Sequence, residues 1–258
     1  MANFEKQSLK VNGVDVVMLT AGHGPPLLHL HGAGTWHGFD FALRWADTHR
    51  VMIPYHPGLG ESGDCPEMTC PHDYVMHYLE LIDQLKLDTV DLVGMSMGGR
   101  LAATFASEHP RRVRRLVLVA PAGLDVAGYS MPDFSQIPPQ EVPSYLIHDV
   151  SVIAPYLANA GTDQWNAART RENATFFRLL QGGLIESTPE FSRWLHRLTM
   201  PTMLIWGEND RTLPIQQADR WVQAIPGIQF KRIPEAGHLV MDEKPEAVEL
   251  IGQFLSAR

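Results

Sequence analysis

Cysteine is scarce in this chain. Its 258 residues include two, Cys65 and Cys70, half the ligand set that a structural zinc ion usually takes. Only four residues separate them, so a disulfide would close a tiny loop and contribute little; both are expected as free thiols. Long apolar runs are missing as well, and no uncharged stretch approaches the ~20 residues that a membrane-spanning helix needs. The opening Met1-Ala2-Asn3-Phe4-Glu5-Lys6-Gln7 has no basic region leading into an apolar one, the pattern of a secretory signal. A cytoplasmic protein without a membrane span is the expectation. Positive charge is in deficit, with 21 Lys and Arg against 29 Asp and Glu and a net charge of −8. Nucleic acid and anionic lipid would both repel that balance, so neither is expected as a partner. Internal repeats and low-complexity blocks are absent too.

What the chain does have is core-forming material, 45% hydrophobic residues against 19% charged, at a length suited to one α/β domain with a modest insertion. Short β-rich runs bounded by turn signals occur at 14–19, 27–30, 51–54, 90–93, 116–119, 203–206 and 229–233. Four of them, 27–30, 90–93, 116–119 and 203–206, are nearly continuously apolar, as parallel strands covered on both faces should be. Helical patterns fall between them at 73–86, 98–108, 216–224 and 245–256. Strand alternating with helix predicts a mostly parallel, doubly wound sheet. The rhythm fails between about 123 and 198, where a Pro- and Gly-rich opening leads into helical segments near 142–157, 163–180 and 189–197. The expected division is therefore a core of residues 1–123 and 199–258 and a helical cap of 124–198, roofing the carboxyl ends of the strands where ligands of such sheets bind.

Chemistry concentrates in four segments. The first is Val90-Asp91-Leu92-Val93-Gly94-Met95-Ser96-Met97-Gly98-Gly99-Arg100, an apolar strand, then G-x-S-x-G, then a helix. So sharp a turn strains its central residue and needs small neighbours two positions either side, which lifts the serine hydroxyl clear of the sheet. The second is Leu27 to Leu30 followed by His31-Gly32-Ala33-Gly34. Its Ala33 amide, with Gly34 a weaker substitute, pairs with the Met97 amide as donors for an oxyanion. The third runs from Pro201 through Trp206-Gly207-Glu208-Asn209 to Asp210, and the fourth from Gln229 to Gly237-His238. Both end just past a strand, on the same sheet edge as Ser96. Glu208, Asp125 and Asp242 compete for the acid's place, Asp125 being the runner-up and Asp242 reading as a helix cap.

Taken together and in this order, the four segments resemble the α/β-hydrolase family, serine carboxylesterase-like members in particular. That resemblance implies Ser96 as nucleophile, His238 as general base and Asp210 as the acid orienting it, with no cofactor and a small-molecule ester as substrate. One departure stands at Tyr55, in Ile53-Pro54-Tyr55-His56-Pro57-Gly58, where the family usually has an aspartate with a structural role. Of twelve histidines, His23, His29, His31, His37 and His56 could suggest a metal cluster; support of the oxyanion loop and packing account for them better, and no metal is expected. A serine nucleophile excludes the alkyl-enzyme chemistry of aspartate-dependent relatives. Esters of apolar or aromatic acids are the first expectation, with C–C bond hydrolysis of ring-cleavage products as the alternative. Those C–C hydrolases commonly carry Trp after the histidine, where this chain has Leu239. Acyl transfer, perhydrolysis and non-catalytic ligand reception follow in that order. Gly34, Trp36, Phe39 and Leu239 are candidate pocket residues.

Overall fold

The computed structural model describes residues 3–184 and 189–257. Eight strands form one sheet: β1 (Glu5–Val11), β2 (Val14–Ala21), β3 (Pro26–Leu30), β4 (Arg50–Pro54), β5 (Val90–Met95), β6 (Val113–Val119), β7 (Thr202–Gly207) and β8 (Gln229–Ile233), in the order β1-β2-β4-β3-β5-β6-β7-β8. β1 and β2 form an antiparallel hairpin, β2 meets β4 antiparallel, and every pairing from β4 to β8 is parallel. The helices are α1 (Pro71–Gln84), α2 (Met97–Glu108), α3 (Val142–Leu146), α4 (Asp163–Gln181), α5 (Pro189–Trp194), α6 (Ala218–Ala224), α7 (Val240–Glu243) and α8 (Pro245–Ser256).

The doubly apolar strands are explained by the two faces they serve. Leu28, Leu30, Leu92, Leu116, Leu118, Leu204 and Trp206 enter one buried cluster with Tyr74, Tyr78, Phe105 and Trp221. Their strand neighbours Leu27, Val93, Val117, Val119, Met203 and Ile205 enter a second with Trp45, Val248 and Ile251. Alternation along each strand thus fills both layers, and α2, on the side of the first cluster, is buried from Met97 to Ser107. β1 was not expected from its composition, because its outer residues are charged or polar and exposed. Asn12 and Gly13, both at positive φ (47° and 83°), make the tight hairpin turn that pairs it, and its lysines suit an edge strand.

The chain leaves β3 for β4 on one side and crosses back to β5 on the other. β3 and β5 are therefore neighbours at a topological switch point, with the loops after them side by side. Between β6 and β7 no strand occurs among the described residues. The helix expected over 142–157 is broken instead. Pro143 sits in the first turn of α3, Ile147 turns extended at φ −145° and ψ 149°, and 3-10 turns follow at Val150–Val152 and Ala154–Leu157. α4 is a full 19 residues, its N-terminus capped by Thr162 Oγ1, which accepts from Trp165 N at 3.3 Å. Among the described residues, no helix is long and apolar enough to cross a membrane.

Candidate active site

Ser96 sits between the end of β5 and the start of α2 at φ 53° and ψ −118°, a conformation that L-residues occupy at a cost. Its surroundings hold it there. Its amide donates to Val119 O at 2.9 Å, and its carbonyl accepts from Arg100 N at 3.1 Å and Ala122 N at 3.0 Å. The flanking glycines are steric necessities. A Cβ on Gly94 would lie 2.5 Å from Gly98 O, one on Gly99 2.8 Å from the Pro121 Cβ, and one on Gly98 would overlap the carbonyls of Leu30 and His31.

Across the switch point, a Cβ on Gly32 would lie 3.5 Å from the Ser96 Cβ, so the 31–34 loop stands directly over the serine. Two imidazoles support that loop. His56 N donates to His31 Nε2 at 3.2 Å, so His31 carries its proton on Nδ1 and donates to Gly32 O at 2.6 Å. His56 in turn donates from Nε2 to His31 O at 2.8 Å and accepts from the Tyr78 hydroxyl at Nδ1. Burial holds both rings neutral, pushing His31 well below the usual histidine range and His56 to about 4. Met97 opens α2, so its amide has no partner inside the helix; Ala33 belongs to the loop after β3, across the switch point.

On the far strands, Asp210 is buried and its Oδ1 accepts from Thr212 N and Leu213 N, each at 2.8 Å. Its Oδ2 faces His238 Nδ1 at 2.8 Å. A carboxylate cannot donate here, so the proton is on Nδ1 and the lone pair on Nε2, the tautomer a general base requires. Among the described residues Ser96 and His238 share the sheet edge without a direct hydrogen bond; such bonds are often long before substrate is present. The competing acids lie elsewhere. Glu208 is exposed, and Asp125 accepts from Gln217 Nε2 at 3.3 Å. Asp242 caps nothing: it lies half-buried inside α7 and accepts from His37 Nδ1 at 2.9 Å.

The candidate pocket residues divide. Trp36 is half-buried and meets Trp165 of α4 edge-on at 5.9 Å, and Gly34 lies against Trp36. Phe39, by contrast, is packed among His29, His31, His37, Phe41 and Tyr55, and Leu239 is buried in the same cluster. Both are buried among core residues. Tyr55, in the aspartate's usual place, covers Gly60 so closely that a Cβ there would strike its ring. Cys65 and Cys70 are free thiols. Among the described residues no three His, Cys, Asp or Glu side chains are grouped to hold a metal.

Sequence reasoning missed the residues that dock α4. Glu172 is buried and its Oε1 accepts from Thr35 Oγ1 at 2.6 Å and Gly60 N at 3.0 Å. Its Oε2 pairs with Arg169 at 2.7 Å, and Arg169 Nη1 lies 3.7 Å from a Cβ placed on Gly34. Arg171 reaches Asp64 at 2.7 Å and Gly60 O at 2.8 Å. Charges at three-residue spacing on an isolated helix read as a solvated face; only the fold shows loops 34–36 and 58–64 meeting them.

This fold and site are those of a hydrolase built on the α/β plan. The sequence profile of the Alpha/beta hydrolase family matches residues 27–249, and the chain belongs to that family. It is similar to 2-hydroxy-6-oxo-2,4-heptadienoate hydrolase of Pseudomonas putida, 27% identical over 95% of this chain and 94% of that one. It is also similar to 2-hydroxy-6-oxo-6-phenylhexa-2,4-dienoate hydrolase of Burkholderia cepacia, 28% identical over 88% of this chain and 86% of that one. Among solved structures, a serine hydrolase involved in carbazole degradation superposes with a TM-score of 0.82 at 25% identity, covering 99% of this chain and 100% of that one. The two curated relatives are named as hydrolases of 2-hydroxy-6-oxo-dienoates, not of carboxylic esters, the first expectation from the sequence.

Proposed function

We propose that this chain is a serine-dependent C–C bond hydrolase acting on 2-hydroxy-6-oxo-dienoates, with residues 124–198 as the cap over its site. The observation that carries this reading is the similarity to hydrolases of that substrate class over about nine-tenths of both chains. The geometry around Ser96 supplies what the reaction needs. Ketonisation of such a substrate puts a 2-oxo-3-ene system beside the 6-oxo group, so electrons from the C5–C6 bond have a conjugated acceptor. His238 then takes the Ser96 proton as Oγ adds to C6, and the amides of Met97 and Ala33 hold the oxyanion. Collapse breaks the C5–C6 bond and leaves an acyl group on Ser96, while C5 leaves as a dienolate that a proton from His238 neutralises. Water, deprotonated by His238, releases the acid. Asp210 keeps the imidazole in its tautomer throughout. Half-buried Arg169 adds a cation beside the oxyanion loop, partly offset by Glu172 and suited to a carboxylate.

Ester hydrolysis is the second reading, favoured by Leu239 directly after His238. Steady-state kinetics on 2-hydroxy-6-oxo-6-phenylhexa-2,4-dienoate and on p-nitrophenyl esters of increasing chain length separate the two. Preference for the dienoate supports the proposal; esters cleaved with the dienoate untouched overturn it. Failure of a serine-directed phosphonate to label Ser96 would point instead to a ligand receptor.

A further inference from the structure

One segment of the insertion, residues 144–149, lies across both loops that carry the acid and the base. Thr212 Oγ1 donates to Tyr145 O at 2.9 Å and Arg211 Nη1 to Ser144 Oγ at 3.1 Å. Leu239 N donates to Leu146 O at 2.8 Å. At Ile147 the approach is closest: a Cβ on Gly237 would lie 2.6 Å from Ile147 Cα and 2.7 Å from His148 N. Under this crossing is Glu243, 9% exposed. Its Oε2 accepts from Gly237 N at 2.8 Å and His148 N at 3.2 Å, and its Oε1 from Asp149 N at 2.6 Å. A single carboxylate therefore joins the amide directly before His238 to two amides of the insertion, through charge-assisted bonds that are stronger than neutral ones.

We infer that Glu243 is a positioning residue that couples the insertion to the general base, holding the His238 loop in its working place while residues 147–149 are docked. The inference rests on the reading of His238 as base. Glu243 touches no reacting atom; it acts through the backbone of Gly237.

Two variants test it from opposite sides. Glu243→Gln replaces one acceptor oxygen with a donor, so at least one amide N–H is left facing an N–H. Gly237→Ala leaves the carboxylate alone and wedges a methyl group between the loop and Ile147. For each, kcat and KM on the better substrate and the rate of Ser96 labelling by a serine-directed phosphonate are measured below the variant's own melting temperature. The expected result is a parallel fall of roughly 10- to 100-fold in kcat and in labelling, the size expected of an ångström-scale misplacement, with KM changed by less than about threefold. A lowered melting temperature with wild-type kcat and labelling would overturn the proposal and leave Glu243 a structural residue. If Glu243→Gln does not fold, Gly237→Ala decides on the same criteria. Wild-type protein that does not label at Ser96 would overturn the reading of His238 itself, a different failure from equal labelling in wild type and variants.

Discussion

Replacing Gly94 by alanine would put a methyl group 2.5 Å from Gly98 O and 2.6 Å from the Ala102 Cβ, where ordinary contact begins at 3.4 Å. Neither neighbour can yield alone. Gly98 O belongs to the backbone of α2, and Ala102 is on the same helix face, so α2 must move away from β5 as a body by roughly 1 Å. The fold would survive, at a cost of about 1–3 kcal/mol for overpacking. The site would suffer more, because Ser96 and the Met97 amide both ride on the start of α2. A displacement of that size costs on the order of 100-fold in rate. Urea unfolding gives the first number, and phosphonate labelling of Ser96 with turnover gives the second. Gly252→Ala serves as control. It lies inside α8 with ordinary helical φ, its Cβ would sit 3.4 Å from Trp45 Cδ1, and alanine there should stabilise by about 0.5–1 kcal/mol without touching activity. A Gly94→Ala protein with activity within about twofold of wild type would refute the claim that these glycines set the elbow's geometry.

Other perturbations follow from single observations. Asp210→Asn, which removes the acceptor that fixes the His238 tautomer, should lower turnover by about 10⁴-fold with little change in the circular dichroism spectrum. His77 is buried with both ring nitrogens unpartnered among the described residues, and burial lowers it to about 4. Its depressed native value means stability is intact above the unfolded value near 6.5 and drains away as pH falls toward 4, by up to roughly 1.4 kcal/mol per pH unit. His77→Leu should therefore flatten the urea midpoint against pH between those limits; an unchanged slope contradicts the assignment. Arg100 is buried with Nε and Nη1 unpartnered among the described residues, over the Phe191 ring at 3.2 Å, and burial lowers it to about 9. Arg100→Met, similar in volume and without that desolvation cost, should be neutral or stabilising in a thermal melt.

The sheet was legible because its strands carry the signal themselves. Runs such as Leu116 to Val119 are apolar on both faces only where two layers cover them. The elbow, the Asp210 loop and the His238 loop were legible for a related reason: each is a short, local break at a strand end. β1 was hidden because its exposed face carries no hydrophobic alternation, although Asn12-Gly13 signalled the hairpin. The insertion resisted because its ties are to distant loops. Glu172 bonds to Thr35 and Gly60, and Glu243 to His148 and Asp149. Nothing in the local pattern around a buried glutamate names partners 94 to 137 positions away.

On the proposed reading, Ser96 carries a C–C bond hydrolysis. Incubating the protein and its Ser96→Ala variant with 2-hydroxy-6-oxo-6-phenylhexa-2,4-dienoate and quantifying products by chromatography tests it most directly. Wild-type protein should release benzoate and 2-hydroxypenta-2,4-dienoate in equal amounts, and Ser96→Ala neither. Intact dienoate after prolonged incubation with a wild-type protein that still cleaves p-nitrophenyl esters, or equal product from both proteins, would contradict it.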